Sequence, residues 1–491
     1  MTTAAAPRSA ASYENCDARF LRPKGFKFVD QFYNVYESRL NEMRDVFATL
    51  EAAAGGGNAA NNKRRKVGEG NKKNDAKTLI HFQPGDPCSV SATVFKEHPN
   101  RPDVIEHFVK ELAGHVDYDG EYVDPFKQRI ASANDKIVFE DNSGRISVKF
   151  KHAETERGIV DGLVTGVIMH VEGKISEDGD LIVDKHKLAG IAPQSRHPPC
   201  SGTSTHRHVL LVSGLHMGGA QDPMPAQLLV DYVNGHIGTS EDGGASVVRV
   251  CIAGHSVVPE KASADCSHFD DPLTRENQKK LSQPIRMFDT LLSELASNVP
   301  VDLMPGGSDP ASLSFPQQPI DPCVIPEGAK FSSLQRATNP HEFKIEDRLF
   351  LGTDGRPLHD VHRHTLGVSP LEAMESTLQW RHIAPTCPDT ISGYPSKDRD
   401  PLIIRECPHV YFAGNQDEYA SKIVKGPDGQ VVRVVCVPRF ASTFTAVLVN
   451  IDSPTYECTP ITFGEPAQSK ASKSPPNGDE NASQNAMDES S

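Results

Sequence analysis

The stretch Val209-Leu210-Leu211-Val212-Ser213-Gly214-Leu215-His216 carries the fold. An apolar run enters a glycine turn without alternating polar residues, as in a strand buried on both faces. The pattern returns at Val247-Val248-Arg249-Val250-Cys251-Ile252-Ala253-Gly254-His255-Ser256, at Val301-Asp302-Leu303-Met304-Pro305-Gly306-Gly307-Ser308-Asp309-Pro310, and at His409-Val410-Tyr411-Phe412-Ala413-Gly414-Asn415-Gln416-Asp417. Helical segments at Leu281 to Leu295 and about Pro370 to Trp380 fall between these strands, and β-rich runs at Val431–Val437 and Thr443–Ile451 close the series. Strands alternating with helices predict a layered α/β domain over residues 207–463. Side chains converge at the carboxyl ends of strands in such sheets, so the glycine turns are the expected seat of chemistry.

Upstream the rhythm is different. Ser89–Phe95, Lys136–Glu140, Arg145–Phe150 and Leu163–Met169 read as short strands, with turn signals at Asn142-Ser143-Gly144 and Glu177-Asp178-Gly179. About five such strands within residues 76–192 predict a small β-barrel, an OB-fold. OB-folds that grip single strands stack bases on aromatics above a basic groove. This segment is poor in exposed-face aromatics and is not basic, so a docking module is the expectation. Residues 193–206 are rich in Pro and Ser and read as a linker.

Residues 1–22 are Ala/Ser-rich and read as mobile. Within 23–50, Phe32, Val35, Tyr36, Leu40, Met43, Val46 and Phe47 recur at helical spacing. That amphipathic helix either packs on its own domain or presents a partner face. Residues 51–75 are too low in complexity for a packed core and read as a disordered basic loop. Within it Lys63, Arg64, Arg65 and Lys66 form a compact cationic run, a candidate nuclear-import signal or a solvated charge run. Residues 464–491 read as a disordered acidic tail.

Composition narrows the classes. With 37% hydrophobic residues, 491 residues suffice for two or about three domains with real cores. There is no run of about 18 apolar residues, so no membrane span is expected. None of the 10 cysteines forms a C-x-x-C pair, so no zinc ribbon or iron–sulfur site is signalled. The net charge is −14. Residues 1–80 hold 14 Lys+Arg against 9 Asp+Glu, so their net is +5 and the rest carries −19. Proteins that grip a phosphate backbone are usually basic, so a protein partner suits most of this surface better than DNA.

The order and spacing of the four turns resemble the calcineurin-like metallophosphoesterases. In that family turns of the form D-x-H, G-D-x-x-D, G-N-H-D/E and G-H-x-H hold two metals that activate water against a phosphodiester. Set against them, this chain departs at most ligands. The first Asp is Gly214, with His216 surviving. The second turn has His255 for its Asp and Val258 at the next Asp position. Gly307 and Ser308 replace the Asn and His of the third turn, leaving Asp309. Asn415 and Asp417 stand for the last two His, and His382 is a lone histidine between. Hard cations need several oxygen ligands and transition metals a near-complete N/O set. The resemblance therefore implies a vestigial site with no metal, no cofactor and no catalysis.

An OB-fold followed by an inactivated phosphoesterase domain is similar to the B subunits of eukaryotic replicative DNA polymerases. Phe315-Pro316-Gln317-Gln318-Pro319, Arg381-His382-Ile383-Ala384-Pro385-Thr386-Cys387-Pro388-Asp389-Thr390 and Glu406-Cys407-Pro408-His409-Val410-Tyr411-Phe412-Ala413-Gly414-Asn415 resemble the small subunit of polymerase delta, across about residues 20–463. That resemblance implies a nuclear, non-catalytic scaffold for replication and repair synthesis. It would join the cysteine-rich C-terminal domain of the catalytic subunit to a third subunit, meet the sliding clamp indirectly and touch DNA weakly or not at all. The alternatives are the equivalent small subunit of another replicative polymerase and an active metal-dependent phosphodiesterase or nuclease.

Overall fold

The computed structural model describes residues 8–26, 29–54, 78–101, 129–196, 206–218, 222–238, 244–258, 272–396 and 398–464. Five strands close a barrel: β2 (Pro87–Glu97), β3 (Lys136–Asp141), β4 (Gly144–Phe150), β5 (Ile168–Ile175) and β6 (Leu181–Lys187), in the order β2-β3-β4-β6-β5. Alternation builds it: Val90, Ala92 and Val94 of β2 point inward to meet Phe139, Val148, Met169 and Val183. The β3–β4 hairpin turns where the sequence signals it, because Asp141 Oδ1 accepts from the Ser143 and Gly144 backbone N–H groups at 2.8 and 3.3 Å.

The Leu163–Met169 expectation is corrected. The strand begins at Ile168; residues 165–166 form a turn, while the Gly166 N–H and the Val167 carbonyl still bond Val94 of β2 at 2.9 and 2.8 Å. Gly166 sits at φ +90°, where a Cβ would lie 1.9 Å from the Pro385 carbonyl oxygen. The Leu163 carbonyl accepts from Lys96 Nζ instead of from a neighbouring strand.

The remaining strands form two six-stranded sheets. One runs β1-β11-β12-β13-β15-β14, with β1 (Tyr13–Asn15), β11 (His341–Ile345), β12 (Arg348–Thr353), β13 (Val410–Gln416), β14 (Ala420–Lys425) and β15 (Val431–Pro438). The other runs β10-β9-β8-β7-β16-β17, with β7 (His208–Val212), β8 (Val247–Ala253), β9 (Val301–Met304), β10 (Leu334–Arg336), β16 (Thr445–Asn450) and β17 (Cys458–Thr462). Leu211, Cys251, Met304, Phe343, Phe350, Phe412, Val435 and Val447 pack between the sheets. Helices Met224–Asn234 and Pro272–Asn298 cover the outer face of the second sheet, and helix Pro370–Trp380 covers the first. Covering both faces is why β7, β8 and β13 read as largely apolar runs. Ser369 and Glu372 form a capping box that starts the Pro370 helix where it is expected.

Helix α1 (Tyr33–Ala54) buries Leu40, Met43 and Phe47 against Ile168 of the barrel and Ile403 of the sheet domain. Its face is thus used internally, although Phe32 stays 44% exposed. A mobile segment over residues 1–22 is overturned for residues 8–22. Tyr13–Asn15 pairs antiparallel with Phe343–Ile345, Asp17 is buried, and Arg19 bridges Glu342 at 2.9 Å. These partners lie more than 300 residues away, where local composition carries no trace of them. At the expected linker, Gln194 Nε2 donates to the Pro408 and Val431 carbonyls at 3.0 and 2.9 Å. The Lys63–Lys66 run and the tail from residue 465 lie outside the described residues.

Candidate functional site

Parallel pairing of β7, β8 and β9 brings their C-terminal turns side by side. The Gly214 N–H donates to the Gly254 carbonyl at 3.0 Å, and the His216 N–H to the His255 carbonyl at 3.1 Å. Across the sandwich, β13 delivers Asn415, whose N–H donates to Ser213 Oγ at 2.8 Å. The structure therefore gathers Gly214, His216, His255, Gly307, Asp309 and Asn415 at one edge. Asp417 is exposed beyond the end of β13. His382 lies elsewhere, held by Asp400 at 2.9 Å.

Asp309, His255 and Asn415 each bond within the fold. Asp309 is buried, with Oδ1 accepting from the Ser256 and Val257 N–H groups at 2.8 and 3.0 Å and Oδ2 from Gly306 at 2.7 Å. Burial pushes its carboxyl up despite these donors. It ties the β8 and β9 turns together. His255, at φ +55°, accepts through Nε2 from the Gly307 N–H at 3.2 Å. That nitrogen is 3.6 Å from Asp354 Oδ2, too far for a hydrogen bond. His216 is half-buried beside His255, with ring centroids 6.0 Å apart. Burial, reinforced by His255 and Arg439, pushes its imidazole down to about 3, so it is neutral at physiological pH. Asn415 Nδ2 donates to the Ala253 and Asp354 carbonyls at 3.3 and 2.9 Å.

The glycines are constrained as well. Gly214 sits at φ +63°, and a Cβ there would lie 2.5 Å from Asn415 Oδ1. A Cβ on Gly307 would meet His255 Cε1 at 3.3 Å and Arg356 Cδ at 3.4 Å. No side chain at either position adds a ligand. Ser308 supplies only a hydroxyl, a poor partner for a binuclear centre.

Sequence reasoning missed Asp354 and Arg356, which complete this edge. Asp354 is fully buried and accepts from Arg356 Nε at 2.8 Å. Burial opposes its charge, but the Arg356 guanidinium beside it holds the carboxyl well below the usual range. Arg356 also lies over the Phe315 ring at 4.7 Å and donates to the Leu313 carbonyl. Asn339 joins the network, accepting from the Asp354 N–H at 3.2 Å and donating to Gln317 at 2.8 Å. The available signal was Thr353-Asp354-Gly355-Arg356-Pro357, a strand end with a turn Gly and a Pro that starts a helix. A fixed guanidinium adds positive charge where two dications would need negative ligands. Among the described residues no group of three or more His, Cys, Asp or Glu is placed to hold a metal ion. The donor set does not fit a binuclear centre.

Comparison with known proteins agrees with this architecture. The family model for the DNA polymerase delta subunit OB-fold domain matches residues 31–186, and that for the B subunit of DNA polymerase alpha/epsilon matches residues 209–422. The chain is 34% identical to the DNA polymerase delta small subunit of Arabidopsis thaliana, covering 93% of this chain and 96% of the relative. It is 32% identical to the DNA polymerase delta subunit 2 of Drosophila melanogaster, covering 94% and 99%. With the Saccharomyces cerevisiae small subunit it shares 25% identity over 87% of this chain and 88% of that one. A barrel and a two-sheet body in the matched order, with similarity over nearly the full length, place the chain in the DNA polymerase delta small subunit family.

Proposed function

We propose that this accessory subunit is non-catalytic and works as a scaffold. Its two-sheet body, about residues 207–463, is read as a phosphoesterase-like domain that has lost its metal site. The observation that carries this reading is the commitment of the strand-end turns. Asp309, His255 and Asn415 already bond within the fold, and Gly214 and Gly307 have no side chains. A dead cleft has no need to stay open to solvent, so its surroundings can serve assembly. Following the family resemblance, the partners are the cysteine-rich C-terminal domain of the polymerase's catalytic subunit and a third accessory subunit that leads to the sliding clamp. The site of action is the nucleus, in replication and repair synthesis. The relatives' names favour polymerase delta over the other replicative polymerases.

The test combines assembly and chemistry. Co-expressed with the two other subunits, the full chain should elute as one complex that falls apart when it is omitted. Alone it should cleave no phosphodiester with manganese. A nuclease that co-elutes with the chain and disappears in the His216→Ala/Asp309→Ala variant would overturn the reading.

A further inference from the structure

A second concave site lies away from the strand-end turns. A cavity of about 270 Å³ opens between the N-terminal segment Arg8–Tyr13 and the body, with Val248, Arg249 and Ile345 in its far wall. Arg8 and Arg249 are among its lining residues, and no acidic residue is. Arg249 Nη1 donates to Asp302 at 2.6 Å, and its guanidinium carbon lies 3.4 Å from the Tyr13 ring centroid. The side chain is 10% exposed, and the guanidinium makes no other hydrogen bond among the described residues. Arg249 is thus fixed by a carboxylate and a ring, with N–H donors left over.

Arg8 forms the near wall. It donates to the Gly244, Val247 and Val233 carbonyls at 3.1, 3.0 and 2.6 Å, and has no carboxylate partner among the described residues. The nearby acids are engaged elsewhere. Asp302 is held by Arg249, and Glu346 pairs with Arg207 at 3.2 Å and accepts the Ser12 N–H at 2.8 Å. Two arginines in a partly dry recess attract an anion more strongly than they would in open water. Their planar forks match the oxygens of phosphate and carboxylate. Ser9 and Ser12 also line the recess, and a serine hydroxyl can donate to an oxyanion.

We infer that this recess is a binding site for a small oxyanion, a phosphate or carboxylate group, held by Arg8 and Arg249 with Ser9 and Ser12. Occupancy would join the N-terminal segment to the sheet edge, and so stabilise the folded chain by mass action.

Calorimetric titration of the full chain with inorganic phosphate, and separately with acetate, tests the site at pH 7 with ionic strength held by chloride. The expected result is saturable one-to-one binding of at least one ion, weakened tenfold or more by Arg8→Gln and by Arg249→Lys. Binding of phosphate alone, or of acetate alone, identifies which oxyanion the recess takes. Arg249→Lys disturbs the Asp302 pair, so circular dichroism must show it folded. Arg8→Gln removes only contacts to carbonyls and decides the question by itself. No saturable binding of either ion, or an affinity unchanged in Arg8→Gln, overturns the inference.

Discussion

Arg39 and Asp400 are 361 residues apart in the chain and 2.6 Å apart in space, each only 1% exposed. The same guanidinium donates to the carbonyls of Gly166, Pro385 and Cys387 at 3.3, 2.8 and 2.6 Å. One side chain on α1 thereby binds the barrel, through Gly166, to the sheet domain. Removing either partner strands a buried charge, which costs about 3–5 kcal/mol. Arg39→Met should lower stability by that amount in urea denaturation. Arg39→Met/Asp400→Leu should lose less than the two single losses summed. Strict additivity would mean that the pair is not coupled.

The contribution of buried His341 to stability should fall as pH rises above neutral. Burial disfavours its charge, but Asp17, 2.8 Å from Nδ1, and Asp302, 3.5 Å from Nε2, outweigh it and push the imidazolium up to about 9 from 6.5. A raised folded value gives stabilisation that is complete below the unfolded pKa of about 6.5 and lost as pH climbs to about 9, in total about 3 kcal/mol. Lys96 acts with the opposite sign. Burial pushes its ammonium down to about 8 from 10.5, so its contribution rises with pH between those values. The difference in unfolding free energy between wild type and His341→Gln isolates the histidine. It should shrink from pH 6.5 to pH 9, and a flat difference would count against a charged imidazolium held by the two aspartates.

An acid placed at position 214 should not create a metal centre. Gly214→Asp must fit a Cβ 2.5 Å from Asn415 Oδ1 and 2.7 Å from Arg439 Cγ, at φ +63°. Overpacking of this kind costs about 1–3 kcal/mol. The variant should melt at a lower temperature and gain no manganese-dependent phosphodiesterase activity.

Single-stranded DNA should bind the isolated chain weakly. Several cations on the barrel are matched by carboxylates: Lys149 with Asp180, Lys151 with Asp184 at 3.0 Å, and Arg145 with Glu140 at 3.1 Å. Cations already paired contribute little to the counterion release that sets a log–log salt slope of about −0.7 per phosphate on single strands. Fluorescence anisotropy should show no affinity tighter than the micromolar range. A tight, steeply salt-dependent affinity that survives deletion of residues 51–75 would make the barrel a DNA site.

Replacing Lys63, Arg64, Arg65 and Lys66 with Ala should reduce nuclear accumulation of a tagged chain unable to bind its partners. Unchanged accumulation would leave the run as a solvated charge cluster.

The sequence by itself determined the barrel followed by a layered α/β body, because two-residue alternation and unbroken apolar runs record which faces are covered. That Gly214, His255 and Gly307 stand where a metal centre would need acids or an amide is instead what the phosphoesterase resemblance implies. Only the tertiary structure decided what the surviving polar groups do. Asp309 looks like a ligand in the sequence, yet three backbone N–H groups claim its oxygens. Asp354 and Arg356 enter the same edge from the facing sheet, and Tyr13 reaches Asp302 across 289 residues. Local periodicity reports burial, not partners. Hydrogen bonds and ion pairs between distant segments are fixed by how the two sheets and the barrel stack, and that stacking exists only once the chain has folded.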